Sequence, residues 1–336
     1  MSSIFYLDRG FEFGGCFARL FHGADPVTGH GAFVQTRDWE PMRHDCNYLR
    51  SQTGGSRFSE RLFCPQSLSW GPVMRLEGKV AVITGAGQRQ GESIGNGRAA
   101  AVLFAREGAK LLLANRSMAS LEETRDLLRN EGFDAECVIA DVSKEDDCAA
   151  LVNVAVSKFG RIDILHNNVG IGGLDGDTVK IERRAWDNIF NVNLTGAMQI
   201  SKHALPIMRS QKSGSITHVS STAAVASYPL IAYKTSKAAL HEFVRWLAFE
   251  NAPHNIRCNV LMLGYIDTPM AIEGYHQATG APRETIRKQR DVSVPMGRMG
   301  TAWETVKVAV FLASDEASYI TGAVITVDGG LHTRIG

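Results

Sequence analysis

The spacing of apolar residues changes character at Met74. Beyond it, short β-branched apolar runs alternate with stretches whose apolar residues recur at helical spacing. Residues 79–84, 110–114, 135–140, 162–166, 215–220, 257–263 and 324–327 are the runs, and each predicts a strand. Residues 97–107, 117–130, 183–210 and 233–250 predict helices, with Pro206 near the end of the third span. Ser143 is expected to open another helix as its N-cap, with acidic residues in the first turn. Strands alternating with helices imply parallel β-α-β units. The expected fold class is therefore α/β, a doubly wound parallel sheet of about seven strands in one domain over 74–336.

Residues 1–73 have no sustained period, and Gly10, Gly14, Gly15, Gly54 and Gly55 interrupt them. They hold 12 of the chain's 27 aromatic residues and no lysine, a composition unlike the rest. An irregular extension that need not belong to the natural start is the expectation there; a targeting or partner-binding arm is one alternative, and a small independent domain the least favoured. Their seven acidic residues and the lack of an apolar stretch behind a basic start disfavour a transit or secretory peptide, so the expected location is the cytoplasm.

Charge narrows the field. With 36 Lys+Arg against 35 Asp+Glu there is no basic field to suggest a nucleic-acid partner. No apolar run is long enough to suggest a membrane span. The cysteines at 16, 46, 64, 137, 148 and 258 lack metal-ligand spacing, so no metal is expected.

The first strand runs into Thr84-Gly85-Ala86-Gly87, and a helix begins near Gly95-Asn96-Gly97. Such a turn lets backbone approach a pyrophosphate, and the helix N-terminus offers free N–H donors. Downstream, Tyr233 and Lys237 are four residues apart and share a helix face. A phenol is a poor base at neutral pH unless a neighbouring ammonium favours the phenolate. That pairing suits proton transfer at an alcohol oxygen.

With these motifs in this order, residues 74–331 resemble a short-chain dehydrogenase/reductase of the Tyr-x-x-x-Lys type. The resemblance implies a Rossmann-like fold and NAD(P)-dependent hydride transfer between a secondary alcohol and a ketone. It makes Gly85, Gly95 and Gly97 the phosphate-turn glycines, with Asn96 between the last two. Ten positions separate Gly85 from Gly95, so residues 88–93 form an insertion of about six residues. That insertion is expected over the adenosine side of the cofactor, or as a solvated bulge. Asp141 and Val142 would meet the adenine. Asn168 and Gly170, in Asn167-Asn168-Val169-Gly170, would line the cofactor. Ile266 and Thr268 would hold the nicotinamide end; Leu263 stands where the family has proline and is expected to loosen that turn.

Family roles carry over to four reacting residues: Asn193 as proton relay, Ser221 polarising the substrate oxygen, Tyr233 as acid/base, and Lys237. Ser220 is the alternative to Ser221, because the loop before Tyr233 is one residue short. At the end of the second strand Asn115 replaces the acid that would repel a 2′-phosphate, and Arg116 adds a fork suited to phosphate. NADP is therefore favoured over NAD, although an Arg116 stacked on adenine would allow either. The lid at about 270–298 carries Arg283, Arg287, Lys288 and Arg290, which could greet an acidic substrate, although a solvated face is the expectation. His276 is expected to be exposed rather than catalytic. A small-molecule alcohol or carbonyl substrate and a homo-oligomer, tetramer or dimer, are implied. A non-catalytic dinucleotide-binding regulator and an enoyl or imine reductase are the alternatives.

Overall fold

A computed structural model of the chain describes residues 10–13, 16–19 and 74–334. The chain divides into two units, Met1–Leu68 and Ser69–Gly336. In the first, Gly10–Phe13 pairs antiparallel with Cys16–Arg19. The remainder of the irregular extension expected over 1–73 lies outside the described residues.

The second unit is built on seven parallel strands. They are β1 (Val80–Thr84), β2 (Lys110–Asn115), β3 (Ala135–Ile139), β4 (Ile164–Asn167), β5 (Gly214–Ser221), β6 (Ile256–Leu263) and β7 (Val324–Val327). Their order across the sheet is β7-β6-β5-β4-β1-β2-β3. Strand β1 (VAVIT) is buried along its whole length because helices cover both faces of the sheet. Ala81 and Ile83 of β1 face α1 (Asn96–Arg106), α2 (Met118–Asn130) and α9 (Ala302–Ala313). Val82 faces α3 (Glu145–Phe159), α5 (Gly196–Gln211) and α6 (Ile231–Asn251). Ala99, Ala100 and Ala101 are fully buried, so α1 lies close to the sheet.

Strand order reverses between β1 and β4. In such sheets a crevice opens there, at the carboxyl ends of the strands. The expected α/β architecture and strand count hold, with two local corrections. Ser143 does not cap α3. Its N–H and hydroxyl both donate to Asp141, the helix starts one residue later, and Lys144 at the cap gives no side-chain bond. The helices expected over 183–210 are α4 (Arg183–Phe190) and α5, and a π-helical turn at Asn191–Thr195 joins them. Leu263 does not loosen its turn. It pairs with Ser221 and Val327, and the next N–H, of Gly264, donates to Val327 O at 3.0 Å. Helices α7 (Pro269–Thr279) and α8 (Arg283–Ser293) form the lid around Ile272, Ile286 and Met299.

Candidate active site

Every cofactor-binding residue expected from the sequence lines one cleft of about 1000 Å³. Its floor is the β1–α1 turn. Gly85 has φ +71°, where glycine is favoured. A Cβ on Gly97 would sit 1.9 Å from the backbone Gly85 O, so that position requires glycine, and one on Gly87 would displace the Asn115 amide, 1.7 Å away. Gly95 begins α1 and provides no side-chain cap, which leaves first-turn N–H groups for an anion. Asn96 Oδ1 accepts from Thr305 at 3.0 Å. Asn168 Nδ2 donates to Gly85 O at 3.3 Å, tying β4 to the turn. This donor-rich, Cβ-free cradle fits a dinucleotide pyrophosphate.

At the adenosine side, half-buried Asn115 and exposed Arg116 end β2. Burial opposes ionisation of Asp141. The Ser143 hydroxyl and N–H, with Arg116 and Lys144, outweigh it and hold this carboxyl below its usual range. The insertion over 88–93 is exposed at residues 89–92, as a solvated bulge would be, but its contacts reach beyond this side. Gln88 N–H donates to Ser120 Oγ at 2.6 Å, and Gln88 Oε1 accepts from Gly95 N–H at 2.6 Å. At its far end Gly91 lies against Pro269, where a Cβ would come within 2.8 Å. Glu92 pairs with Arg287 of α8 at 2.9 Å. The insertion therefore bridges α2 to the lid.

The reacting residues approach from β5 and α6. Tyr233 and Lys237 lie one turn apart on α6, and Lys237 Nζ is 5.9 Å from the Tyr233 ring centroid. Lys237 is buried and donates to Val219 O at 2.8 Å. Burial lowers its amine to about 8. Burial raises the Tyr233 phenol, and the Ser221 hydroxyl acts against that rise. Gly170 and Gly172 make room, since a Cβ would lie 3.0 Å from Lys237 Nζ and 3.3 Å from Tyr233 Cδ2 respectively. Ser220 is turned away: its hydroxyl lies 2.8 Å from His241 Nε2 and 3.4 Å from Lys237 O.

Asn193 is not brought to the cleft wall. It is 1% exposed behind Ile171, accepts from Ile171 N–H at 2.8 Å and donates to Ile171 O at 2.9 Å and Ser236 Oγ at 3.0 Å. His276 is also outside the cleft lining, with Nδ1 2.9 Å from Ala281 O.

Sequence reasoning missed Asp175. Its carboxylate accepts from Ala232 N–H at 3.1 Å and Tyr233 N–H at 2.7 Å, while Gly176 O accepts from Ile231 N–H. Tyr228 and Tyr275, placed by the sequence in the pocket stretch and the lid, meet through their hydroxyls at 2.9 Å on the cleft wall, a contact the sequence does not mark. Loops place Asp175 and Tyr228, and α7 places Tyr275; no periodicity marks such contacts.

A doubly wound sheet with a phosphate cradle at its switch point and a Tyr/Lys pair beside it defines a dinucleotide-dependent oxidoreductase. A family model described as Enoyl-(Acyl carrier protein) reductase matches residues 87–332. The chain belongs to the short-chain dehydrogenase/reductase family and is an oxidoreductase of that family, whose members bind NAD(P). It is 38% identical over 259 residues to 3-oxoacyl-[acyl-carrier-protein] reductase FabG of Thermotoga maritima, covering 77% of this chain and 99% of that one. It is 37% identical to Oxidoreductase UcpA of Escherichia coli, over 76% of this chain and 95% of the relative. Among solved structures, levodione reductase superposes with a TM-score of 0.74 at 31% identity, covering 78% of this chain and all of that one. Among the described residues no helix is long and apolar enough to cross a membrane.

Proposed function

We propose that this enzyme interconverts a ketone and a secondary alcohol with NADP(H), using Tyr233 as acid/base. One observation carries the reading. Ser221 and Tyr233 face the same cleft with Lys237 beside them, while the neighbouring Ser220 is committed to His241. When bound, the nicotinamide supplies or accepts the hydride. In the reducing direction the Tyr233 hydroxyl gives its proton to the carbonyl oxygen, and the Ser221 hydroxyl donates to the same oxygen as charge develops. Lys237, lowered to about 8, still carries its charge at pH 7 and favours the phenolate. Asn193 supports the site by fixing Ile171 and Ser236; the relay role remains our proposal for it, through its buried place beside the lysine.

The absence of an acid at the end of β2, with Arg116 and Arg89 on the cleft wall, supports NADP over NAD. Trp246 and Phe249, exposed on α6 with ring centroids 5.6 Å apart, support a homo-oligomer. A cytoplasmic location belongs to the same proposal. The family description favours an enoyl substrate as the second reading.

A spectrophotometric screen of ketones, secondary alcohols and enoyl compounds with both cofactors tests this, on the full chain and on a chain starting at Met74. The expected result is ketone reduction with NADPH favoured over NADH. NADH favoured about tenfold would overturn the cofactor preference, and turnover of enoyl compounds alone would overturn the reaction.

A further inference from the structure

The basic residues of the lid do not form the uniform solvated face expected from the sequence. Arg283 pairs with Glu273 at 2.7 Å. Arg287 pairs with Glu92 at 2.9 Å and Asp267 at 3.3 Å. Lys288 reaches Glu284 at 3.8 Å. Arg290 differs from all three. It is only 9% exposed, it lines the cleft, and among the described residues no carboxylate lies within ion-pair distance of it.

Its surroundings are aromatic. The guanidinium carbon lies 4.4 Å from the Tyr275 ring centroid and 5.0 Å from that of Tyr265. Ring faces attract the cation. They do not replace the oxygen acceptors that five N–H donors require, and a buried charge without an opposite partner is expensive to keep. A side chain held this way in a substrate cleft is preorganised for an incoming anion.

We propose that Arg290 receives a carboxylate on the substrate, so that the enzyme acts on oxo acids and the corresponding hydroxy acids. This rests on the reading of Tyr233 as the acid/base. A planar guanidinium offers two parallel N–H donors matched to the two oxygens of a carboxylate. The position also sets where that carboxylate sits. Tyr275 touches Arg290 and meets Tyr228 through their hydroxyls, and the Tyr228 ring centroid is 6.3 Å from that of Tyr233. Two tyrosines thus separate the guanidinium from the reacting phenol along one wall. The carboxylate is remote from the carbonyl, joined to it by an apolar spacer.

The test uses initial rates of the purified full chain with NADPH on oxo acids of increasing length, each paired with its methyl ester. Wild type is expected to favour the acid over the ester by about tenfold or more in kcat/KM at the best length. Arg290→Gln is expected to collapse that ratio, chiefly through the KM of the acid. Arg290→Lys, which keeps charge without the fork, should fall between them and serves if the glutamine variant does not fold. Esters reduced as well as acids by wild type would overturn the proposal and leave the carbonyl reductase standing. Equal losses on acid and ester in the variant would make Arg290 a brace of the lid and overturn it too. Turnover of no ketone at all, with NADPH bound, would overturn both readings.

Discussion

Asp175 holds the start of the helix that carries Tyr233, from 57 residues upstream in the chain. Leu230, at the N-cap of α6, gives no side-chain bond, so the first N–H groups depend on this carboxylate and on Gly176 O. A carboxylate there also suits the positive end of the helix dipole. Asp175→Ala is expected to cost about 1 kcal/mol of stability, as the loss of a cap does. Its larger effect should be on kcat, down by about tenfold to a hundredfold as the phenol loses its position, with NADPH affinity kept. Asp175→Asn, with one acceptor left, should recover part of the rate. Steady-state kinetics beside a cofactor fluorescence titration measure both, and an unchanged kcat would contradict the assignment. At this scale the residues that line the cleft floor were legible, because Gly85, Gly97 and Asn168 fall within short contiguous motifs. Asp175 and Arg290 were not, because their partners are distant in the chain. The one-residue ambiguity between Ser220 and Ser221 needed three dimensions, since only the contact of Ser220 with His241 shows which hydroxyl is occupied.

Among elements, the strands were the most legible. A parallel strand covered on both faces tends to be apolar throughout; β1 fits that pattern and β6 comes near it, while β4 buries His166 and Asn167 in its second half. Helix ends were less so. Ser143 has the right chemistry for a cap, yet the Asp141 carboxylate two residues earlier takes its hydroxyl. The π-helical turn at Asn191–Thr195 leaves no mark in a period count. It coincides with the point where Asn193 leaves the helix register to clamp Ile171. A readable signal was overlooked at α9, where Thr301 and Glu304 form a complete capping box. The insertion over 88–93 was visible as extra length, but its span from Ser120 to Arg287 was not, because nothing in its composition names either end.

The whole molecule carries buried histidines that the reaction does not use. His218 accepts from Asn167 Nδ2 and lies 3.1 Å from Ser201 Oγ, an arrangement for the neutral ring. Burial pushes it down to about 3 and lowers His166 and His241 to about 4. An unfolded histidine titrates near 6.5, so below that pH the unfolded chain binds protons that the folded one refuses. Stability is therefore fully present above about 6.5 and is lost as pH falls toward 4, by on the order of a few kcal/mol for each ring. Denaturant midpoints across that window should decline steadily, and less steeply for His166→Gln. A flat profile, or an identical slope in the variant, would contradict the buried neutral rings.

The same scale carries the central claim, that one fold brings a cofactor cradle and a proton donor to one cleft. Replacing Tyr233 with Phe removes only the phenolic oxygen. Single-turnover rates and NADPH titration on Tyr233→Phe, beside wild type on the best ketone found, separate chemistry from binding. The account predicts NADPH affinity close to wild type with turnover reduced by about a hundredfold or more. Turnover at the wild-type rate in that variant would contradict it.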